Sequence, residues 1–140
     1  MTGVQTCALP ISVVTLTATA ASGYSFGSWS GDASGATNPA TVTMNANKSV
    51  TADFIAQYTL TVAASPPGGG SVAKSPDQTQ YAAGTVVTLT ATAASGYLFD
   101  SWSGDASGAT SPIQVTMDAN KSVTAVFIVQ YTLKIGRAHV

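Results

Sequence analysis

The sequence predicts an all-β fold made of two tandem copies of one small module. Ala supplies a large share of the 45% hydrophobic residues, Thr, Ser and Gly fill much of the rest, and only 8% of the 140 residues are charged. Apolar and polar residues alternate with the period of two that half-buried strands show. Residues 12–60 align without gaps on residues 85–133, and nine of the 49 aligned positions differ, which leaves 40 identical.

The first predicted strand of the complete repeat has Tyr58, Leu60 and Val62 on one face, separated by threonines. A Pro- and Gly-rich stretch at residues 66–70 predicts a turn or loop. A short return strand is predicted at residues 71–74. These elements have no counterpart in the first copy.

The next strand is long, because Val87 and Leu89 begin an alternation with threonines that continues to Ala93. Ser95 and Gly96 interrupt it, and another strand is predicted at residues 97–102. A Gly-, Ser- and Asp-rich loop follows this strand. In the first copy, strands are expected at residues 13–20 and 49–56.

The last two strands are predicted from three apolar residues each, at Ile113, Val115 and Met117, and at Val123, Ala125 and Phe127. Between them, residues 118–121 contain Asp and Asn, which tolerate turn conformations, and predict a tight hairpin. No window shows a helical stripe. We expect the core to consist of Tyr58, Leu60, Val87, Leu89, Tyr97, Phe99, Val115, Met117, Val123 and Phe127.

The repeat divides the chain into a truncated first copy at residues 12–57, a complete copy at residues 58–130 and the start of a third at residues 131–134. No linker separates the copies, which favours a stiff or semi-stiff array over loosely tethered modules. The first copy lacks the counterpart of residues 58–84. We therefore expect it to expose an unpaired strand edge and a partly covered apolar face, and to be less stable than the complete copy.

The two ends are unlike the repeats. Codons can be chosen for residues 1–11 and 134–140 so that, apart from one base, the second string is the reverse complement of part of the first. Both strings resemble a sequencing-library adapter, so we expect residues 1–11 and 135–140 to be translated adapter, which is excluded from fold arguments. The single cysteine, histidine and arginine of the chain all fall in these segments: Cys7, His139 and Arg137.

Composition and charge exclude several classes of protein. The formal net charge is −1, so the chain lacks the basic surface of a nucleic-acid-binding protein. No apolar run reaches the roughly 18 residues that a membrane helix needs. Without its ends the chain has no His, Cys, Arg or Glu, so the usual groups for nucleophilic or acid–base catalysis are missing. We expect no enzyme activity and no cofactor.

Two motifs make the repeat recognisable. One is G-Y-x-F-x-x-W-S-G-D at residues 96–105, and the other is V-T-M-x-A-N-K-S-V-T-A-x-F at residues 115–127. With Y-T-L-T-V and the Gly-rich turn, they make residues 12–133 resemble the divergent internalin-B-type B-repeat family of bacterial surface and secreted proteins. The resemblance implies a small β-rich module, β-grasp-like in related repeats, that occurs in tandem in extracellular proteins. It implies no catalytic residues and supplies no agreed binding residues.

Trp29 and Trp102 are residues that a ligand-binding surface would use, because aromatic side chains are favoured at binding sites. The alternative, which we favour, is packing in the core or between repeats, because so small a module needs large apolar groups. Strand parity places Trp102 on the opposite face from Phe99 unless a bulge at Ser101 turns it inward. The candidate binding segment comprises Trp29, Trp102, Asp32, Asp105, Tyr24 and Tyr97.

Asp100, Asp105 and Asp118 suggest a calcium site, since calcium binds clustered carboxylates. The first copy argues against it, because only the counterpart of Asp105 is still an acid there. The matching residues are Gly27, Asp32 and Asn45. We therefore expect a turn whose aspartate accepts backbone hydrogen bonds, and no metal site.

Three functions remain open. The chain is a structural spacer of a bacterial surface or secreted protein, an adhesion module that binds protein or glycan through the Trp-containing segment, or an accessory domain of a secreted enzyme. Near-identical copies with small, Thr-rich faces favour the spacer. We expect an extracellular location, adjacent repeats of the same chain as partners, host or cell-surface protein or glycan as further candidates, and neither nucleic acid nor membrane insertion.

Overall fold

The computed structural model describes residues 11–137, and within that range the chain forms eleven β-strands and no helix. The all-β prediction is confirmed. The chain divides into two compact units, Met1–Ala56 and Gln57–Val140. The adapter-like residues 1–10 and 138–140, which include Cys7 and His139, lie outside the described residues.

The strands of the first unit are β1 (Ser12–Leu16), β2 (Tyr24–Gly31), β3 (Ala40–Met44) and β4 (Val50–Tyr58). The last two residues of β4 belong to the second unit. The second unit continues with β5 (Leu60–Ser65), β6 (Gly70–Ser75), β7 (Tyr81–Ala82), β8 (Val86–Ala93), β9 (Tyr97–Gly104), β10 (Ile113–Thr116) and β11 (Lys121–Val129).

Two three-stranded sheets make up most of the second unit, with strand orders β10-β8-β6 and β5-β11-β9. The first and last strands of the repeat, β5 and β11, pair in parallel, and the other pairs in these sheets are antiparallel. The predicted hairpin at residues 118–121 is wrong. This turn leads from β10 in one sheet to β11 in the other, so the two strands it connects are not partners.

One apolar cluster forms the core of the second unit. Seven of the ten predicted core residues are buried, and the other three, Tyr58, Tyr97 and Phe99, are partly buried against the cluster. Its buried members are Leu60, Tyr81, Val87, Leu89, Trp102, Val115, Met117, Val123, Ala125 and Phe127. Tyr81 was missed because β7 has only two residues and shows no alternation, yet its hydroxyl donates a hydrogen bond to the Pro76 carbonyl at 2.9 Å.

Within residues 11–56, the strand pairs of the first unit are β1–β3 and β2–β4, which correspond to β8–β10 and β9–β11. Strand β1 ends at Leu16, so the prediction of a strand over residues 13–20 is too long. The reason is visible in the second unit, where the end of β8 pairs only with β6. The first copy has no β6 counterpart in its sequence, so residues 17–20 lack that partner.

Candidate functional site

The Trp-containing segment of each copy turns inward at a bulge. In β9, Phe99 pairs with Phe127 and Ser101 pairs with Val126, so that Asp100 is the extra residue. The bulge was predicted at Ser101 and lies one residue earlier. It changes the strand parity, so Phe99 and Trp102 both face the core. The first copy has the same irregularity at Gly27, between Phe26 and Ser28.

Each tryptophan is part of a packed aromatic group. The ring of Phe99 lies 5.2 Å from Trp102 and 5.9 Å from Phe127, centroid to centroid, in tilted and edge-to-face arrangements that aromatic pairs prefer. Trp102 is 3% exposed, and its Nε1 donates a hydrogen bond to the Thr110 carbonyl at 2.8 Å. The packing interpretation of Trp102 is therefore confirmed within its own unit.

The first copy repeats this arrangement with less cover. Trp29 is 7% exposed and donates from Nε1 to the Thr37 carbonyl at 3.0 Å. Phe26 lies 5.2 Å from Trp29 and 6.2 Å from Phe54. The tryptophan is thus held by residues of its own copy even where the repeat is incomplete.

Asp105 joins the loop after β9 to the start of β11. Its Oδ2 accepts a hydrogen bond from the Ser122 amide at 2.7 Å, and its own amide donates to the Ser122 carbonyl at 2.9 Å. Asp32 makes the same pair of bonds with Ser49, at 2.7 and 2.8 Å. The predicted turn role of this aspartate is confirmed in both copies.

The glycine before this aspartate is required by the same turn. Gly104 has φ +93°, and a Cβ there would collide with the Ser122 carbonyl oxygen. Gly31 has φ +89° and would collide in the same way with Ser49. The S-G-D sequence is thus explained by backbone geometry, because glycine alone accepts both the positive φ and the close approach.

Lys48, Lys74 and Lys121 each form an ion pair with an aspartate. Lys121 Nζ lies 2.7 Å from Asp118 Oδ1, and this hydrogen bond lowers the pKa of Asp118 and raises that of Lys121. The stabilisation that it gives is present above the ordinary pKa of Asp118 and is lost as the pH falls through the lowered pKa. In the first copy Asn45 replaces Asp118, and Lys48 lies 3.8 Å from Asp32 instead. Among the described residues, no three His, Cys, Asp or Glu side chains are grouped to hold a metal ion.

The candidate binding segment is therefore not one exposed surface. Both tryptophans are buried, and both aspartates hold a turn. Tyr24 is 53% exposed, whereas its counterpart Tyr97 packs partly against the core. The structure brings Tyr97, Phe99 and Trp102 together inside the module, and of the six candidates Tyr24 presents the most exposed ring.

The sequence did not point to a groove in the first unit as a candidate site. The first unit has an open groove of about 560 Å³, lined among others by Val14, Leu16, Trp29, Val42, Val50 and Phe54. The signal for it was the missing counterpart of residues 58–84, which predicted an uncovered apolar face. In the second unit, the residues matching this groove are covered by the extra strands.

These features define a class of protein, namely a tandem all-β repeat in which the most recognisable motif residues hold each module together. The chain belongs to the divergent InlB B-repeat domain family, whose model matches residues 2–57 and 58–130. The resemblance stated from the motifs is thereby confirmed. Searches of curated proteins and of solved structures found no match. Within residues 11–137, no helix is long and apolar enough to cross a membrane.

Proposed function

We propose that the chain is a structural spacer, built from tandem non-catalytic modules within a larger bacterial surface or secreted protein. The observation that carries this proposal is that the most recognisable motif residues of the repeat are used internally. Phe99 and Trp102 pack in the core, Gly104 permits the turn, and Asp105 bonds to the backbone of Ser122. A motif that serves folding in every copy is what a repeated building block requires.

The surface of the second unit fits the same role. Its buried core is apolar, and no polar or charged residue of the described chain falls in the buried class. The outward positions of β8 and β11 carry threonines such as Thr90 and Thr124. Membership of a repeat-domain family, which is not a family of known enzymes, supports the absence of a catalytic role and the tandem arrangement.

The proposal includes an extracellular location, with adjacent repeats of the same chain as the first partners and no cofactor. Its support is the family, whose bacterial members are often surface-associated. The accessory-domain alternative shares this location and differs only in the neighbouring domains.

The spacer function predicts how length grows with the number of repeats. Proteins with two, four and six copies of residues 58–130 should show a maximum dimension in small-angle X-ray scattering that rises in proportion to copy number. Direct abutment of the copies is the reason, because it leaves no flexible linker. In a control series with Gly/Ser linkers between the copies, the maximum dimension should grow roughly as the square root of the number of linked copies. Square-root growth in the direct series would contradict the spacer.

The adhesion alternative depends on access to the Trp-containing segment, and fluorescence tests it. In a Trp29→Phe variant, Trp102 should be quenched weakly by acrylamide, because 3% of the residue is exposed. The same protein in 8 M urea provides the fully accessible reference. Quenching in buffer that approaches this reference would favour binding through Trp102 over packing.

A further inference from the structure

We propose that Asn120 is the attachment site of an N-linked glycan, in the turn that leads from β10 to β11. Residues 120–122 read N-K-S, which has the N-x-S form of an N-glycan acceptor. The first copy repeats this sequence at residues 47–49, in the equivalent turn. The proposal rests on the extracellular location included in the proposed function, because such acceptors are used in surface loops of secreted proteins.

The acceptor turn lies on the surface of the complete module. Asn120 and Ser122 are both exposed, and β11 begins between them at Lys121. In the first copy, Asn47 and Ser49 are exposed as well. A glycan is bulky and hydrophilic, so it needs a side chain that points to solvent. Attachment at this turn therefore leaves the apolar core of the module unchanged.

The two polar atoms of the Asn120 side-chain amide have different surroundings. Its Oδ1 accepts a hydrogen bond from the Thr59 amide at 3.0 Å, which ties the turn to the residue before β5. The bond identifies the oxygen, because a backbone N–H donates only to that end of the amide. Among residues 11–137, Nδ2 has no hydrogen-bond acceptor. The nitrogen that a glycan uses is thus free, while the oxygen holds the strand entry.

The chemistry of attachment uses this free nitrogen and needs no redox partner. The co-reactant is a polyisoprenyl-diphosphate-linked oligosaccharide, and an oligosaccharyltransferase catalyses the transfer. A bond forms between Asn120 Nδ2 and the anomeric carbon of the first sugar, and the bond from that carbon to the diphosphate oxygen breaks. The electron pair leaves with the diphosphate, and one Nδ2 proton passes to a base of the transferase. Oδ1 keeps its lone pairs, so the bond from the Thr59 amide is retained.

Ser122 is held through its backbone and not through its hydroxyl. Its amide donates to Asp105 Oδ2 at 2.7 Å, and its carbonyl accepts from the Asp105 amide at 2.9 Å. Within the described part of the chain, Ser122 Oγ has no hydrogen-bond partner. The hydroxyl that completes the N-x-S motif is therefore available to a transferase, in a turn whose backbone is fixed.

A glycan in each repeat would supply hydration that the protein surface lacks. Only 8% of the residues are charged, whereas globular proteins average about 25%. Large apolar side chains are also exposed in the complete module, with Leu98 at 46% and Ile128 at 48%. A bulky neutral group that binds water increases solubility without adding charge.

An in vitro transfer reaction on the folded chain tests the proposal. In the Asn47→Gln chain, Asn120 is the one remaining asparagine in an N-x-S/T sequence. Incubation with a single-subunit oligosaccharyltransferase that accepts N-x-S/T and a polyisoprenyl-diphosphate-linked oligosaccharide should add one oligosaccharide, measured by intact-mass spectrometry. Ser122→Ala in the same background should abolish the addition. Ser122→Thr is the matched control, because it retains a hydroxyl and should preserve the addition.

Two outcomes of this reaction would overturn the proposal. One is an unmodified Asn47→Gln chain under conditions in which an unstructured N-x-S peptide accepts the oligosaccharide. The other is addition that survives Ser122→Ala, because the modified atom would then lie elsewhere in the chain. Neither outcome bears on the spacer function, which the growth of length with copy number tests separately.

Hydrogen exchange at the Thr59 amide provides a second, independent measurement. Because attachment leaves Oδ1 unchanged, this amide should exchange at the same rate, within about twofold, in the glycosylated and unmodified chains. Asn120→Ala is the reference for the broken bond and should accelerate the exchange by about tenfold. Exchange in the glycosylated chain as fast as in Asn120→Ala would mean that attachment breaks the entry to β5, and it would contradict a turn suited to carry a glycan.

Discussion

Native-state hydrogen exchange should show much slower exchange in β8 than in β1. We expect the amides of Val87 and Leu89 to exchange at least about a hundredfold more slowly than those of Val14 and Leu16, a difference of roughly 3 kcal/mol in opening free energy. The structural reason is that β8 is the central strand of its sheet, with β10 and β6 on its two sides, whereas among the strands of residues 11–137 β1 pairs with β3 alone.

The chain contains its own control for this comparison. Residues 13–24 and 86–97 have identical sequences, so intrinsic exchange rates are nearly equal and the measured ratio reports structure. The experiment is carried out at low protein concentration, because pairing of strand edges between molecules would add protection to the first unit. Equal protection of β1 and β8 would show that the truncated copy reaches full stability without the missing strands.

Replacing the equivalent phenylalanine of each copy by alanine should lower the free energy of unfolding by very different amounts. Phe127→Ala removes a ring that is 2% exposed and packs against Phe99, and it should destabilise the second unit by about 3–5 kcal/mol. Phe54→Ala removes the equivalent ring, which is 41% exposed, and should cost roughly 1–2 kcal/mol in the first unit. The two substitutions are chemically identical and differ only in the cover that the neighbouring strands supply.

Urea unfolding in single-tryptophan variants separates the two units. Trp102 reports on Phe127→Ala in a Trp29→Phe background, and Trp29 reports on Phe54→Ala in a Trp102→Phe background. Each double variant is compared with its own single-tryptophan parent, so the effect of the tryptophan substitution cancels. Similar losses of unfolding free energy in the two variants would mean that Phe54 is as well covered as Phe127. That result would contradict the exposed fractions of the two side chains.

Much of the fold follows from the sequence because alternation reports directly on burial. Val87 and Leu89 are on the predicted face and are fully buried, and so are Met117 and Val123. Alternation within one strand does not say which strands pair, and this is why the turn at residues 118–121 was misjudged. A tight turn is compatible with a hairpin or with a crossing between sheets, and the choice depends on distant partners such as β5.

The candidate site was harder to predict, because the face on which Trp102 lies depends on one extra residue in β9. Strand parity placed Trp102 outward, and the extra residue Asp100 reverses that placement. The comparison of copies was more informative for Asp105, because retention of this acid beside the loss of the others favoured a turn. The open groove could be predicted only as an absence of strands, and its shape required the coordinates of the strands that remain.

The parallel pairing of β5 with β11 has a mechanical consequence. These are the first and last strands of the complete module, and six residue pairs join them, from Leu60–Lys121 to Ser65–Val126. A force that pulls the two ends of the module apart therefore acts along the strands in opposite directions. All six pairs carry the load together in shear, instead of breaking one after another from an end. A tether made of such modules resists stretching until a whole module yields.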